Sequence, residues 1–220
     1  MPLLARLKQL PYRVMRRIAI ANRTLFFGCD LASLSHFPCP EGLTVVQWTE
    51  DDLRQHLGEE NYLDEGHAVW LRDDQAVCFA VMDGERLAGF AWIAHGDVPG
   101  EMNHDGHPDT QLPLFLPDDT GFVFHVFILP SYRGRRLYAA LMSSAAHQLP
   151  NRGIEKLVLT TECTNRSALR SVGRMGFRQV GRAWLIKVGP LCSVGYPEQP
   201  FLGGVRTGTY VGDPHERPND

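Results

Sequence analysis

A chain of 220 residues, 44% hydrophobic and 21% charged, is long enough to bury one sizeable core, so one domain with appended ends is expected. No run approaches the ~18 apolar residues that a membrane-spanning helix needs, and arginines interrupt the leader, which argues against a cleaved secretory peptide. Cys29, Cys39, Cys78, Cys163 and Cys192 form no Cys-x-x-Cys pair and no zinc-like Cys/His spacing; they read as reduced thiols in a cytoplasmic, reducing compartment.

The formal net charge of −3 is unevenly spread. Arg6, Lys8, Arg13, Arg16, Arg17 and Arg23 fall within residues 1–29, where there is no acid, so a basic leader precedes an acidic body. Leu3, Leu4, Leu7, Leu10, Val14, Ile18 and Leu25 lie near helical spacing, broken by Pro11. Residues 1–40 therefore read as a basic amphipathic extension. Three arrangements fit it: peripheral contact with an anionic membrane through residues 1–27, a mitochondrial transit sequence, or a helix packed on its own domain or a partner.

The body, residues 41–189, reads as alternating sheet and helix. Gly42–Trp48 is a first strand, and Thr49 with Asp52 three residues on opens a short helix through Leu57. Ala76–Met82 and Arg86–Ile93 form a hairpin around Asp83-Gly84. Residues 96–120 are a polar connection too long for a simple turn. Phe122–Leu129 is an apolar strand, followed by Pro130, Ser131, Tyr132 and the basic loop Arg133-Gly134-Arg135-Arg136. A helix then carries apolar residues at 137, 138, 141, 142, 145 and 149. A strand from Ile154 to Thr161, a short helix from Asn165, Gly176-Phe177 and a last strand, Arg178–Val188, complete the body. The Pro/Gly-rich tail, residues 190–220, is expected along the surface or partly disordered.

The amides that open a helix lack intrahelical partners and carry the positive end of the helix dipole. With Arg133, Arg135 and Arg136 beside them, they suit a phosphorylated ligand. The order strand, arginine-glycine loop, helix, strand, Asn165-x-x-Ala168, Gly176-Phe177, strand resembles the GNAT superfamily of acetyl-coenzyme A dependent N-acyltransferases. The resemblance is firm over residues 120–188 and looser back to about residue 43. It implies an α/β (α+β) fold: a mixed, mostly antiparallel central sheet flanked by helices, with a late β-α-β crossover. It also implies acetyl-CoA or another acyl-CoA as co-substrate, with no metal. Its cofactor loop maps onto Arg133, Gly134, Arg135, Arg136, Leu137 and Tyr138, with Asn165 in the second motif and the strand amide near Ile128 polarising the thioester carbonyl.

Departures from the family pattern bear on chemistry. Arg136 stands where glycine is usual, which requires a negative φ or accepted strain. Tyr138 stands where glycine or alanine is usual, and Val172 where many relatives place the tyrosine that protonates the leaving thiolate. Tyr138, Tyr132 and Tyr196 are the replacement acids to consider, unless the thiolate leaves unaided. An ammonium acceptor must lose a proton, and His125, on the strand ahead of the loop, is the candidate base; a hydrogen-bonded histidine inside an apolar strand is the alternative. Glu162, at a strand end, is expected to face water, and His104, Asp105, His107 and Asp109 match no established metal-ligand pattern.

Residues 87–132 contain no lysine or arginine, while Asp97, Glu101, Asp105, Asp109, Asp118 and Asp119 fall there. Glu50, Asp51, Asp52, Glu59, Glu60, Asp64 and Glu65 precede them. In the family these segments build the acceptor side of the cleft, so the resemblance implies an acidic rim that would attract a cationic small-molecule amine and disfavour nucleic acid; ordinary solvated loop charge explains the acids equally. Three functions fit the chain: acetyl transfer to a small amine, acetyl transfer to a protein, and a non-catalytic acyl-CoA-binding sensor.

Overall fold

The computed structural model describes residues 20–58, 62–103, 112–188 and 191–208. The strands and helices run β1 (Ile20–Asp30), β2 (Thr44–Trp48), α1 (Glu50–Arg54), α2 (Glu65–Arg72), β3 (Ala76–Asp83), β4 (Arg86–His95), β5 (Asp97–Val98) and β6 (Leu114–Phe115). They continue with β7 (Thr120–Ile128), α3 (Leu137–Gln148), β8 (Lys156–Glu162), α4 (Arg166–Met175), β9 (Arg178–Val188), β10 (Leu191–Gly195) and β11 (Arg206–Thr207). Eight strands form one sheet in the order β10-β9-β1-β8-β7-β4-β3-β2, and β11-β6-β5 form a second. In the large sheet β7 and β8 are parallel and the other pairs antiparallel, the mixed and mostly antiparallel architecture expected from the sequence.

Both faces of the sheet are covered, so the central strands read as nearly continuous apolar runs. Along β4, Phe90, Trp92 and Ala94 enter one core with Trp48, Leu53, Ala68, Phe122 and Phe124, on the α1 and α2 side. Ala91 and Ile93 enter the other with Val123, Leu137, Leu141, Met142 and Val172, under α3 and α4. The period of two between faces is the strand's own geometry. The capping box expected at α1 is present: Thr49 Oγ1 accepts from the Asp52 amide and the Thr49 amide donates to Asp52 Oδ2.

Three expectations are corrected. Residues 20–30 are not the end of an appended amphipathic helix but strand β1, hydrogen-bonded between β8 and β9. Phe26 and Phe27 go to opposite faces, which a strand satisfies and a one-sided helical stripe does not. Residues 20–27 are therefore part of the sheet rather than of a membrane-binding leader, and residues 1–19 lie outside the described part.

The tail contributes structure as well. Leu191–Gly195 pairs with β9, Arg206–Thr207 with β6, and Phe201 and Val205 are buried in the core. The connection over 96–120 holds β5 and β6, which pair with each other. Helix α2 was not foreseen. Among the described residues, no helix is long and apolar enough to cross a membrane.

Candidate active site

Parallel pairing of β7 with β8 runs only from Thr120↔Lys156 to Val123↔Leu159, although β7 continues to Ile128 and β8 to Glu162. Beyond that last pair the strands diverge and open a cleft of about 740 Å³. Its walls come from both cores: Tyr138, Ala168 and Val172 from the α3 and α4 side, and His67, Trp70 and Met102 from the other. His125, Val126, Thr160, Thr161 and Glu162 line it between. The cleft thus passes through the plane of the sheet.

A bulge marks the divergence. Phe90 pairs with Phe127 and Trp92 with Phe124, so Ala91 alone opposes both His125 and Val126. His125 takes up the extra residue at φ +40°, a left-handed conformation that a non-glycine residue rarely adopts. Its Nδ1 lies 2.8 Å from Nε2 of His67, whose Nδ1 lies 2.8 Å from Asp64 Oδ1. Asp64 is the N-cap of α2, its carboxylate accepting from the amides of Gly66 and His67. Desolvation pushes the Asp64 carboxyl up, but the His67 ring and these amides together outweigh it and hold it below the usual carboxylate range.

The loop on the other side is exposed from Arg133 to Arg136. Gly134 has φ +83° and Arg136 φ +62°, so the chain at Arg136 keeps the left-handed turn that glycine would favour. Arg136 gives α3 no side-chain cap, leaving the helix start open. Arg133 Nε donates to Ile128 O at 3.0 Å and Arg135 lies over the Tyr132 ring, so the loop is tied to the end of β7. Leu137 sends its side chain into the core, and only its backbone faces the loop. Asn165 caps α4 by accepting from the Ala168 amide at 3.1 Å and lines the cleft.

Of the phenols considered from sequence, Tyr138 lines the cleft. Tyr132 donates to Asp83 Oδ2 at 2.8 Å, and Tyr196 borders a separate depression with Gln179 and Trp184. Burial pushes the Tyr138 phenol well above its ordinary value, so it keeps its proton at neutral pH. Glu162, expected in water, is half-buried on the cleft wall and is the only carboxylate among the described lining residues. Most of the other described acids on α1 and α2 are engaged: Glu50 and Glu65 pair with Arg54, and Asp52 closes the α1 cap. His104, Asp105, His107 and Asp109 lie outside the described residues.

His67 and its link to Asp64 escaped the sequence reading. The available signal was an N-cap aspartate with a hydrogen-bonding side chain three residues on, but histidine stands where a capping box has glutamate or glutamine.

Residues 43–177 match the Acetyltransferase (GNAT) family, and that span is more than half of the chain. Two curated mycothiol acetyltransferases, from Rhodococcus jostii (strain RHA1) and Rhodococcus opacus (strain B4), are 29% identical over 137 and 139 residues. These alignments take in 60% of this chain but only 36% of each relative, so the chain spans about a third of their length. The solved structure of a GCN5-related N-acetyltransferase from Kribbella flavida superposes with a TM-score of 0.52 at 16% identity, over 82% of this chain and 64% of that one. The divergent parallel strands, the open arginine-glycine loop and the family match converge: the chain belongs to the GNAT acetyltransferase family.

Proposed function

We propose that this chain transfers an acetyl group from acetyl-CoA to a primary amine of a small molecule, by direct attack in a ternary complex. The observation that carries the reading is the cleft between β7 and β8, which runs from Asn165 and Tyr138, the latter next to the arginine-glycine loop, to a histidine-bearing wall on the other side of the sheet. A cavity of about 740 Å³ falls in the range small ligands fill. The relatives at 29% identity are named for mycothiol rather than for a protein substrate.

The loop fits a nucleotide diphosphate. Two left-handed residues, Gly134 and Arg136, turn the chain, α3 starts without a side-chain cap, and exposed Arg135 and Arg136 flank it. Arg133, Gly134, Arg135, Arg136, Leu137 and Tyr138 would hold the phosphates, Leu137 through its backbone, while Ile128 and Asn165 would hold the pantetheine arm. The acyl-CoA supplies the activated acyl group.

The protein's own groups then have distinct tasks. His125 takes the proton that an ammonium acceptor must lose. Tyr138 holds a proton at its hydroxyl on the opposite wall, taking the place that Val172 leaves without an acid. Glu162 offers negative charge to a cationic acceptor, and Trp70, Phe124 and Val126 keep the reacting region apolar.

A thermal-shift series with acetyl-, propionyl- and long-chain CoA tests the donor, because binding to the native state raises its stability. The largest shift is expected with acetyl-CoA. No shift with any acyl-CoA would overturn the reading. A mass-spectrometric screen of small amines against acetylable peptides then separates the small acceptor from the protein acceptor and from a non-catalytic sensor.

A further inference from the structure

The three-residue chain Asp64, His67, His125 has no counterpart in the sequence motifs, yet it ends in the cleft. The Asp64 side chain is 74% exposed while the His67 side chain is 9% exposed, so the chain runs from solvent through a buried ring to half-buried His125 in the cleft. His67 is fixed between Trp70 and Trp92, with ring centroids 4.7 and 5.3 Å away, and His125 stands edge-on to Phe90 at 5.0 Å. Neither ring is placed by chance packing of a loop: one sits in the first turn of α2, the other at the bulge.

The proton positions follow from the acceptors. Asp64 Oδ1 has no proton to give, so the 2.8 Å contact requires a proton on His67 Nδ1. The Asp64 amide also points at that nitrogen, but at 3.3 Å, and an unprotonated Nδ1 would set its lone pair against a carboxylate oxygen. With His67 neutral, its lone pair is on Nε2, and the next 2.8 Å contact then requires a proton on His125 Nδ1. The lone pair of His125 accordingly falls on Nε2.

We propose that Asp64 and His67 are positioning residues that hold His125 as its Nδ1–H tautomer, present Nε2 as the base and carry the charge it acquires. This rests on the acyltransferase reading given above. One N–H bond of the acceptor's ammonium breaks and an N–H bond forms at His125 Nε2. The Nδ1 proton of His125 moves to His67 Nε2, so the positive charge comes to rest on His67 beside the Asp64 carboxylate. The reverse shift returns the proton to His125, from which it leaves through the cleft. No electrons change hands, and the proton count is conserved at each transfer. Among the described residues, Glu162 on β8, Tyr138 on α3 and Tyr62 ahead of α2 are the other titratable groups on this cleft, and β4 presents Phe90 and Trp92 to the pair.

The test is nitrogen NMR of the full chain labelled with ¹⁵N-histidine, compared with Asp64→Asn and His67→Gln. At high pH, neutral His125 is expected with an N–H-type shift at Nδ1 and a lone-pair-type shift at Nε2. His67→Gln keeps a hydrogen-bond acceptor for His125 Nδ1–H but cannot take up a proton, so the Nδ1–H tautomer of His125 should persist. Asp64→Asn, an exposed change that leaves the buried packing alone, removes the carboxylate that fixes the His67 Nδ1 proton, so His67 and His125 should each become a mixture of the two neutral tautomers. An Nε2–H tautomer at His125 in the unaltered chain, or tautomers left unchanged by Asp64→Asn, would overturn the proposal. Calorimetry with acetyl-CoA on the same samples should give an unchanged Kd in Asp64→Asn. If the unaltered chain fails to bind acetyl-CoA, the acyltransferase reading and the catalytic role fall together, while the tautomer assignment is judged by NMR alone.

Discussion

Val123 and Leu159 are the last paired residues of the two parallel strands, and the cleft begins where their ladder ends. Gly89 helps hold β7 in its divergent course, because a Cβ there would lie 2.5 Å from Ile128 Cδ1 and 2.7 Å from the Phe127 carbonyl oxygen. Gly89→Ala should therefore destabilise the fold by about 1–3 kcal/mol. Denaturant unfolding checks the loss, and weaker acetyl-CoA binding should accompany it because Ile128 anchors Arg133.

Arg136 occupies a conformation that costs a non-glycine residue roughly 1–2 kcal/mol. Arg136→Gly should relieve part of this, leaving thermal stability equal or higher. The same change should weaken acetyl-CoA by about tenfold, the equivalent of about 1.4 kcal/mol. Calorimetry at low and high salt should show the difference shrinking as ionic strength rises.

Tyr138→Phe removes the cleft phenol proposed above as the proton donor, although burial makes it a weaker acid than a free phenol. Its kcat should fall by about 10²-fold with KM for acetyl-CoA little changed. Tyr132→Phe, by contrast, breaks only the hydrogen bond to Asp83 and should leave kcat alone.

Acid should destabilise the fold through identifiable carboxylates. Backbone and side-chain hydrogen bonds from Thr49 lower the Asp52 carboxyl, and the hydrogen bond from Lys156 lowers Asp119. Asp64 is lowered as well, by His67 and the α2 amides acting against desolvation. Depressed folded-state values mean stability that is fully present above the ordinary aspartate value of 3.8 and lost as pH falls through the folded values. The thermal midpoint should be flat from neutral pH down to about 5 and drop below about 4, with a shallower drop in Asp119→Asn.

Glu162 faces the cleft with no other described carboxylate beside it on the wall. Glu162→Gln should raise KM for a cationic acceptor and reduce the rise in KM that added salt causes in the unaltered chain. Steady-state kinetics at two ionic strengths check this.

Much of the architecture was legible before folding was considered. The Asp83-Gly84 hairpin, the Thr49–Asp52 capping box, the β7-loop-α3 junction and the Asn165 cap are local features, each written in a few neighbouring residues. The strand β1 was not legible, because Leu25 continues the near-helical spacing of the apolar residues before it and its partners, β8 and β9, are more than a hundred residues away. The small sheet of β5, β6 and β11 escaped for the same reason, its third strand coming from the tail.

The site divides along the same line. Sequence alone determined the arginine-glycine loop and its helix, since backbone turns and charge reside in adjacent residues, and the family resemblance singled out His125 on the strand ahead of it. Only the tertiary structure decided what His125 touches. His67 is 58 residues away in the chain, and the 2.8 Å contact exists because a bulge turns one ring and an N-capped helix delivers the other. Local patterns report the backbone, whereas the meeting of two side chains from distant segments depends on how the sheet faces are packed.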